Sequence, residues 1–348
     1  MTIRSDIRRL GSAAAMAVLM AACSSGAPPP APPPPPPPAK ASVILAPRII
    51  EQAAAYRHYV TDASAITPNF AGGDEIAAAL ETSSAYEPGQ LARGAMAYAA
   101  VVALQDPAFV SGVRIYAKDS DQRRQVVYEL LKNPAYAIGF KGSASAAGLV
   151  VAALGGDAQR LYDDGKLVKQ AAYDLQKQSW SKAEVADRAK RLARAKELSG
   201  SPMLGNVGEG ARLQQAAASG GLGITGAAAQ PPYTTTVTRG LAIAALAILG
   251  EADEANVSAI QALMVEPNVT GCMRTSKLNL YQCLAVARPH YEDVFCMGQH
   301  AMMDTGRCVI RASGLPEPYE ARFVPDASSI AKTMKPKKPP AKKRTAKR

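Results

Sequence analysis

Aromatic side chains are scarce in this chain, 5% of its 348 residues, and Trp180 is the single tryptophan. With few large flat side chains and much alanine, an interior has to be closed by small residues on tightly packed helices. Histidine occurs three times, at His58, His290 and His300, and none of the three lies in a nucleophile motif, so no Ser-His-Asp arrangement can be assigned. No Glu-Ser dipeptide occurs, which removes the signature of lytic transglycosylases. Ser329-Ile330-Ala331-Lys332 has S-x-x-K spacing, but its partners S-D-N and K-T-G are missing. Gly208-Glu209-Gly210 opens like a dinucleotide loop, yet Leu213 stands at the third glycine position. The acid pairs Asp163-Asp164 and Glu292-Asp293 are adjacent, so on a helix they diverge by about 100°. No catalytic residue and no cofactor is therefore expected. Runs of alternating β-branched residues are also missing, which excludes an obvious sheet, and no internal repeat is recognisable.

Charge is distributed unevenly. The formal net charge is +11, but residues 332–348 hold nine Lys or Arg and no acid, and residues 1–23 carry three Arg against one Asp. Residues 24–331 are electrically balanced, so the basicity belongs to a tail and says nothing of the folded body.

Arg4, Arg8 and Arg9 precede an uncharged apolar run, Leu10 to Ala22, that ends in small residues, the layout of a secretory signal. The run is shorter than the roughly 20 residues a membrane span needs. Leu19, Met20, Ala21, Ala22 and Cys23 resemble the cleavage site of bacterial lipoprotein precursors, with Met20 where leucine is usual. The resemblance implies lipidation (palmitate among the chains) at Cys23 and, with Ser24 next, an outer-membrane address facing the periplasm or the cell surface. It covers residues 1–25 and implies no activity.

Pro28 to Pro38, broken only by Ala31, should form a polyproline rod of roughly 34 Å. Beyond it the pattern is helical, with breaks at Gly72-Gly73, Pro88, Pro107, Asn133-Pro134 and Gly155-Gly156. The expected fold is all-α, an irregular array of short helices with helical hairpins. Its expected divisions are a signal (1–22), a linker (23–46), a helical part (47–200), a Gly/Ala-rich loop or boundary (201–233), a disulfide-bonded helical part (234–312) and a basic tail (313–348). One hairpin is expected around Trp180. Leu161, Gly165, Val168, Ala172 and Leu175 recur at helical spacing before it and Val185, Ala189 and Leu192 after it, with Ser181 and Glu184 as a capping box. Arg188, Lys190, Arg191, Arg194 and Lys196 on the second arm alternate with acids and read as a solvated face. Leu241 to Leu249 is apolar all round and should be buried.

Four cysteines, Cys272, Cys283, Cys296 and Cys308, form an even set in an exported chain and should make two disulfides. The favoured pairing is Cys272 with Cys283 and Cys296 with Cys308, because Cys283 and Cys296 on one continuous helix would lie about 20 Å apart. His290, Asp293, Cys296 and His300 share a polar stripe that would suit one metal ion, the weaker reading beside a disulfide and a solvated face.

The reading that emerges is a membrane-tethered envelope lipoprotein that scaffolds or binds a partner without catalysis. Two alternatives are a cell-wall or lipid-processing enzyme with an unrecognised site, and a polyanion binder. In the latter, Lys335, Lys337, Lys338, Lys342, Lys343, Arg344, Lys347 and Arg348 would attract lipopolysaccharide or peptidoglycan. Nucleic acid is not an expected partner in that compartment.

Overall fold

The computed structural model describes residues 43–319; Cys23, the proline-rich run expected to form a rod and the basic residues of the tail lie outside the described residues. Among the described residues the chain forms thirteen α-helices and no strand. They are α1 (Pro47–Ser64), α2 (Gly73–Ser84), α3 (Pro88–Ala103), α4 (Pro107–Arg114), α5 (Ser120–Lys132), α6 (Ser143–Leu175) and α7 (Arg188–Gly200). There follow α8 (Val207–Ser219), α9 (Thr235–Ile248), α10 (Val257–Leu263), α11 (Pro267–Val286), α12 (His290–Cys296) and α13 (Asp304–Ser313). A π-helical stretch, Met297–Met303, joins the last two.

The helix starts follow from sequence. Pro47, Pro88, Pro107 and Pro267 each open a helix, where a missing N–H costs nothing. The preceding side chain usually caps: Glu87 accepts from the backbone of Gly89 and Gln90 at 2.9 and 2.6 Å, and Asp106 from Phe109 at 2.7 Å.

Helix α3 is the axis of the core, buried without interruption from Gly94 to Ala103, with α1, α6, α9 and α11 around it. Helix α9 packs against both α3 and α6, and its segment Leu241 to Leu249 is buried on every side. The Gly/Ala-rich stretch 201–233 contains α8, whose Leu213, Ala216 and Ala217 pack inward.

Helix α6 and the π-helical stretch approach closely because glycines face each other. A Cβ on Gly298 would lie 2.4 Å from the backbone nitrogen of Lys169, and one on Gly165 2.6 Å from Met302 Cβ. Gly298→Ala should cost about 1–3 kcal/mol through overpacking, read as a lower urea midpoint at unchanged slope. Gly156→Ala, on the same helix but meeting nothing within 4 Å, should be neutral or stabilise by about 0.5–1 kcal/mol. Equal effects would show that the close approach is not what the glycines provide.

Two expectations need correction, the hairpin and the disulfide pairing, and the weaker metal reading falls with them. The hairpin at Trp180 does not form. After a 3₁₀ turn, Trp180–Lys182, the chain runs extended, with the Val185 N–H donating to Arg288 O at 2.8 Å. Helix α7 begins only at Arg188, capped by Asp187, and its main neighbours are α2 and α11. The Ser181 hydroxyl is already bonded to the Leu175 and Gln178 carbonyls at the end of α6, so it cannot cap a second arm.

The disulfides are Cys272 with Cys308 and Cys283 with Cys296, with Cα separations of 5.7 and 5.6 Å. The helix is not continuous there. Helix α11 ends at Val286, Pro289 is extended, and α12 folds back, which brings Cys296 beside Cys283.

The metal stripe does not assemble. Cys296 is disulfide-bonded, Asp293 pairs with Arg191, and His300 Nδ1 lies 2.8 Å from Asp304. Among the described residues no group of three or more His, Cys, Asp or Glu converges.

Candidate binding groove

Helices α2 and α7 run beside each other, and with the segment before α7 and the start of α12 they enclose a groove of about 820 Å³. Two features of the sequence place α7 there. The last carbonyls of a helix need donors, and those of α11 find them on α7. Arg188 donates to Ala285 O and Ala287 O at 2.9 and 2.8 Å, and Arg191 to Leu284 O and to Ala287 O at 3.3 Å. Arg191 also forms an ion pair with Asp293, with side chains 8% and 4% exposed. Two of the five basic residues expected on a solvated face are therefore fasteners between α7 and the elbow joining α11 to α12.

At the opening end of α2, Gly73 makes room for His290. A Cβ there would lie 2.4 Å from the imidazole. Thus His290 and Asp293 both border the groove, while Cys296 and His300 face elsewhere. His58 is separate again, 3.4 Å from Asp62.

The two walls differ in charge. Helix α2 presents Asp74 and Glu81 and has no basic residue along its length; the α7 side presents Lys190, Arg191 and Arg194 together with the acids Asp187 and Glu197. Between them lie Ala77, Leu80, Val185, Ala186, Ala193 and Ala195. Burial pushes the Asp293 carboxyl above the usual range, with Arg191 pulling the other way.

Behind the groove wall at Ser84 sits a buried polar cluster that sequence reasoning missed. Lys277, 3% exposed, donates to Ser84 O at 2.6 Å and lies 3.5 Å from the centre of the Tyr86 ring. The Tyr86 hydroxyl lies 2.7 Å from the hydroxyl of Thr305 and 3.3 Å from that of Ser276, and burial pushes its pKa up to about 12. Burial pushes the Lys277 ammonium well below its ordinary value. A signal was present: Met273, Leu280 and Leu284 form an apolar helical stripe, and Lys277 occupies its missing position.

The folded state thus binds the Lys277 proton less tightly than the unfolded chain does. Stability should rise with pH from the folded-state pKa toward the unfolded value of 10.5, by at most about 1.4 kcal/mol per pH unit. Lys277→Met should be more stable than the parent at neutral pH, with the difference shrinking toward pH 10. Ser84 O keeps a donor in the Ser199 hydroxyl at 3.2 Å. A gap independent of pH would show that Lys277 is charged in the fold.

Another buried pair, Arg57 with Asp157, ties α1 to α6, and Arg57 also lies 3.5 Å from Glu209 of α8 and over the Tyr98 ring. A smaller apolar depression of about 360 Å³ lies beside Cys283, lined by Tyr173, Val286, Tyr291 and Phe295. Among the described residues no single helix is long and apolar enough to cross a membrane. No protein family, curated protein or solved structure matches the chain.

Proposed function

We propose that this chain is an envelope lipoprotein, held at the outer membrane by lipid on Cys23, that binds a partner or ligand in the groove between α2 and α7. The observation that carries the reading is the groove itself, at about 820 Å³ within the usual range of ligand sites, with an acidic wall facing one of mixed charge and an apolar floor. Two disulfides accord with an oxidising compartment.

Two outcomes are expected. Cys23→Ser should abolish fatty-acid labelling and release the protein from membranes; labelling that survives the change would remove the anchor from the proposal. A photo-crosslinking side chain at Ala193, exposed in the groove, should capture a discrete species in intact envelopes. The same group at Gln125, exposed on α5, should not. Equal capture from both positions would contradict the groove.

The basic tail adds a second, salt-sensitive attraction in this proposal. Deleting residues 332–348 should remove retention on lipopolysaccharide or peptidoglycan at low salt while leaving the melting temperature nearly unchanged. Retention unaffected by the deletion would move that surface to the helical body.

One observation favours the enzymatic alternative: Asp293, with its raised pKa, borders the same groove as His290. Its oxygen is held by Arg191, which suits an anchor better than a base. Hydrolysis of isolated cell wall or lipid by the mature chain, lost in Asp293→Asn, would favour the enzyme.

A further inference from the structure

We propose that the groove between α2 and α7 takes a short zwitterionic peptide, one with both free amine and free carboxylate groups. The inference rests on the groove being the binding site and names what fills it. The charged rim comes in two halves that can each be read. On the α2 wall stand Asp74 and Glu81 with no base; on the α7 wall stand Lys190 and Arg194, with Asp187 and Glu197 beside them.

At one end the walls touch. Arg194 reaches Glu81 at 3.3 Å, with side chains 43% and 49% exposed, and Arg194 also reaches Glu197 at 3.1 Å. An ion pair this exposed is screened by solvent, so it opens at little cost. A ligand bearing both charges replaces one such contact with two, its amine on Glu81 and its carboxylate on Arg194. An anionic ligand leaves Glu81 without a cation, and a cationic one leaves Arg194 with Glu197 alone. Further along, no ion pair reaches Asp74 or Lys190 among the described residues, so a second amine and a second carboxylate have places.

The floor is apolar, and beside it the Arg191 side chain is nine-tenths buried and committed to Asp293 and the Leu284 carbonyl. Ala77, Ala193 and Ala195 leave the width a peptide backbone needs. The volume suits a few residues rather than a protein surface. Free oligopeptides and the peptide stems of cell-wall polymer share this chemistry.

Calorimetry on the mature chain tests it with four tripeptides: Ala-Glu-Lys with free termini, a capped neutral Ala-Gln-norleucine, tri-lysine and tri-glutamate. Ala-Glu-Lys should bind at least tenfold more tightly than the other three, and Glu81→Gln and Lys190→Gln should each weaken it about fivefold or more. Stronger binding of tri-lysine or tri-glutamate, equal binding of the neutral peptide, or no heat with Ala-Glu-Lys at millimolar concentration would overturn the proposal.

Purified cell-wall sacculi separate the two sources. Retention on sacculi that Ala-Glu-Lys releases points to stems on the polymer, and peptide binding without retention points to free peptide; both outcomes support the class. Crosslinking from Ala193 keeps the two levels distinguishable. If it captures a species while Ala-Glu-Lys fails to bind, the ligand class falls and the groove stands; if neither occurs, both fall.

Discussion

Replacing Cys283 and Cys296 together by serine should lower the unfolding free energy by about 3 kcal/mol, the restriction expected from closing a loop of 13 residues. The change should also loosen the elbow between α11 and α12, which carries His290 and Asp293 to the groove. Reduced ligand capture should then accompany reduced stability. Replacing Cys272 and Cys308 closes no such elbow. At a sequence separation of 36 it should cost about 4 kcal/mol and leave the groove residues in place in whatever fraction remains folded. Peptide mapping without reduction decides the connectivity directly. Fragments linking Cys283 to Cys296 are expected; fragments linking Cys272 to Cys283 would contradict the elbow and the position of α7 against it.

Arg191→Met should be at least as damaging, about 3–5 kcal/mol, because it leaves Asp293 charged at 4% exposure with its partner removed. It also takes donors from the Leu284 and Ala287 carbonyls. The penalty should depend on pH in a definite sense. Burial already raises the Asp293 pKa, and losing Arg191 raises it further, so at low pH the carboxyl is neutral and needs no partner. The difference between parent and variant should therefore be largest near neutral pH and shrink as pH falls. Adding Asp293→Leu to Arg191→Met should recover much of the loss, since breaking a buried pair costs more than replacing it. A penalty unchanged from pH 7 to pH 4, or no recovery in the double variant, would show that the pair is not the fastener.

Much of the fold was legible because local signals and burial agree. The breaks at Pro88 and Pro107, which open helices, and the apolar segment Leu241 to Leu249 each mean the same thing locally and globally. What was not legible depends on residues far apart in sequence. The Cys283 to Cys296 pairing turns on a change of direction at Pro289, which a periodicity argument treats as a kink of unknown angle. Helix α7 was expected to fold back along α6 because Val185, Ala189 and Leu192 keep helical spacing. Its actual position is decided by the carbonyls at the end of α11, about 100 residues away and invisible to spacing.

The groove was hidden for the same reason. Asp74 and Glu81 on α2 and Lys190 and Arg194 on α7 each read as ordinary surface charge, and only their apposition brings charges of both signs to one groove. Buried polar residues are the intermediate case. Lys277 interrupts a visible apolar stripe, so its burial could be suspected, whereas its partners Ser84 and Tyr86 could not be named.

Hydrogen exchange on the mature protein, with and without isolated cell envelopes, tests the central claim most directly. If the groove is the docking site, slowed exchange on adding envelopes should concentrate in α2, in residues 183–187 and in α7, and should disappear in Ala193→Trp, whose side chain fills the groove. Slowing confined to the depression beside Cys283, at the end of α6 and the start of α12, or slowing that persists in Ala193→Trp, would contradict it.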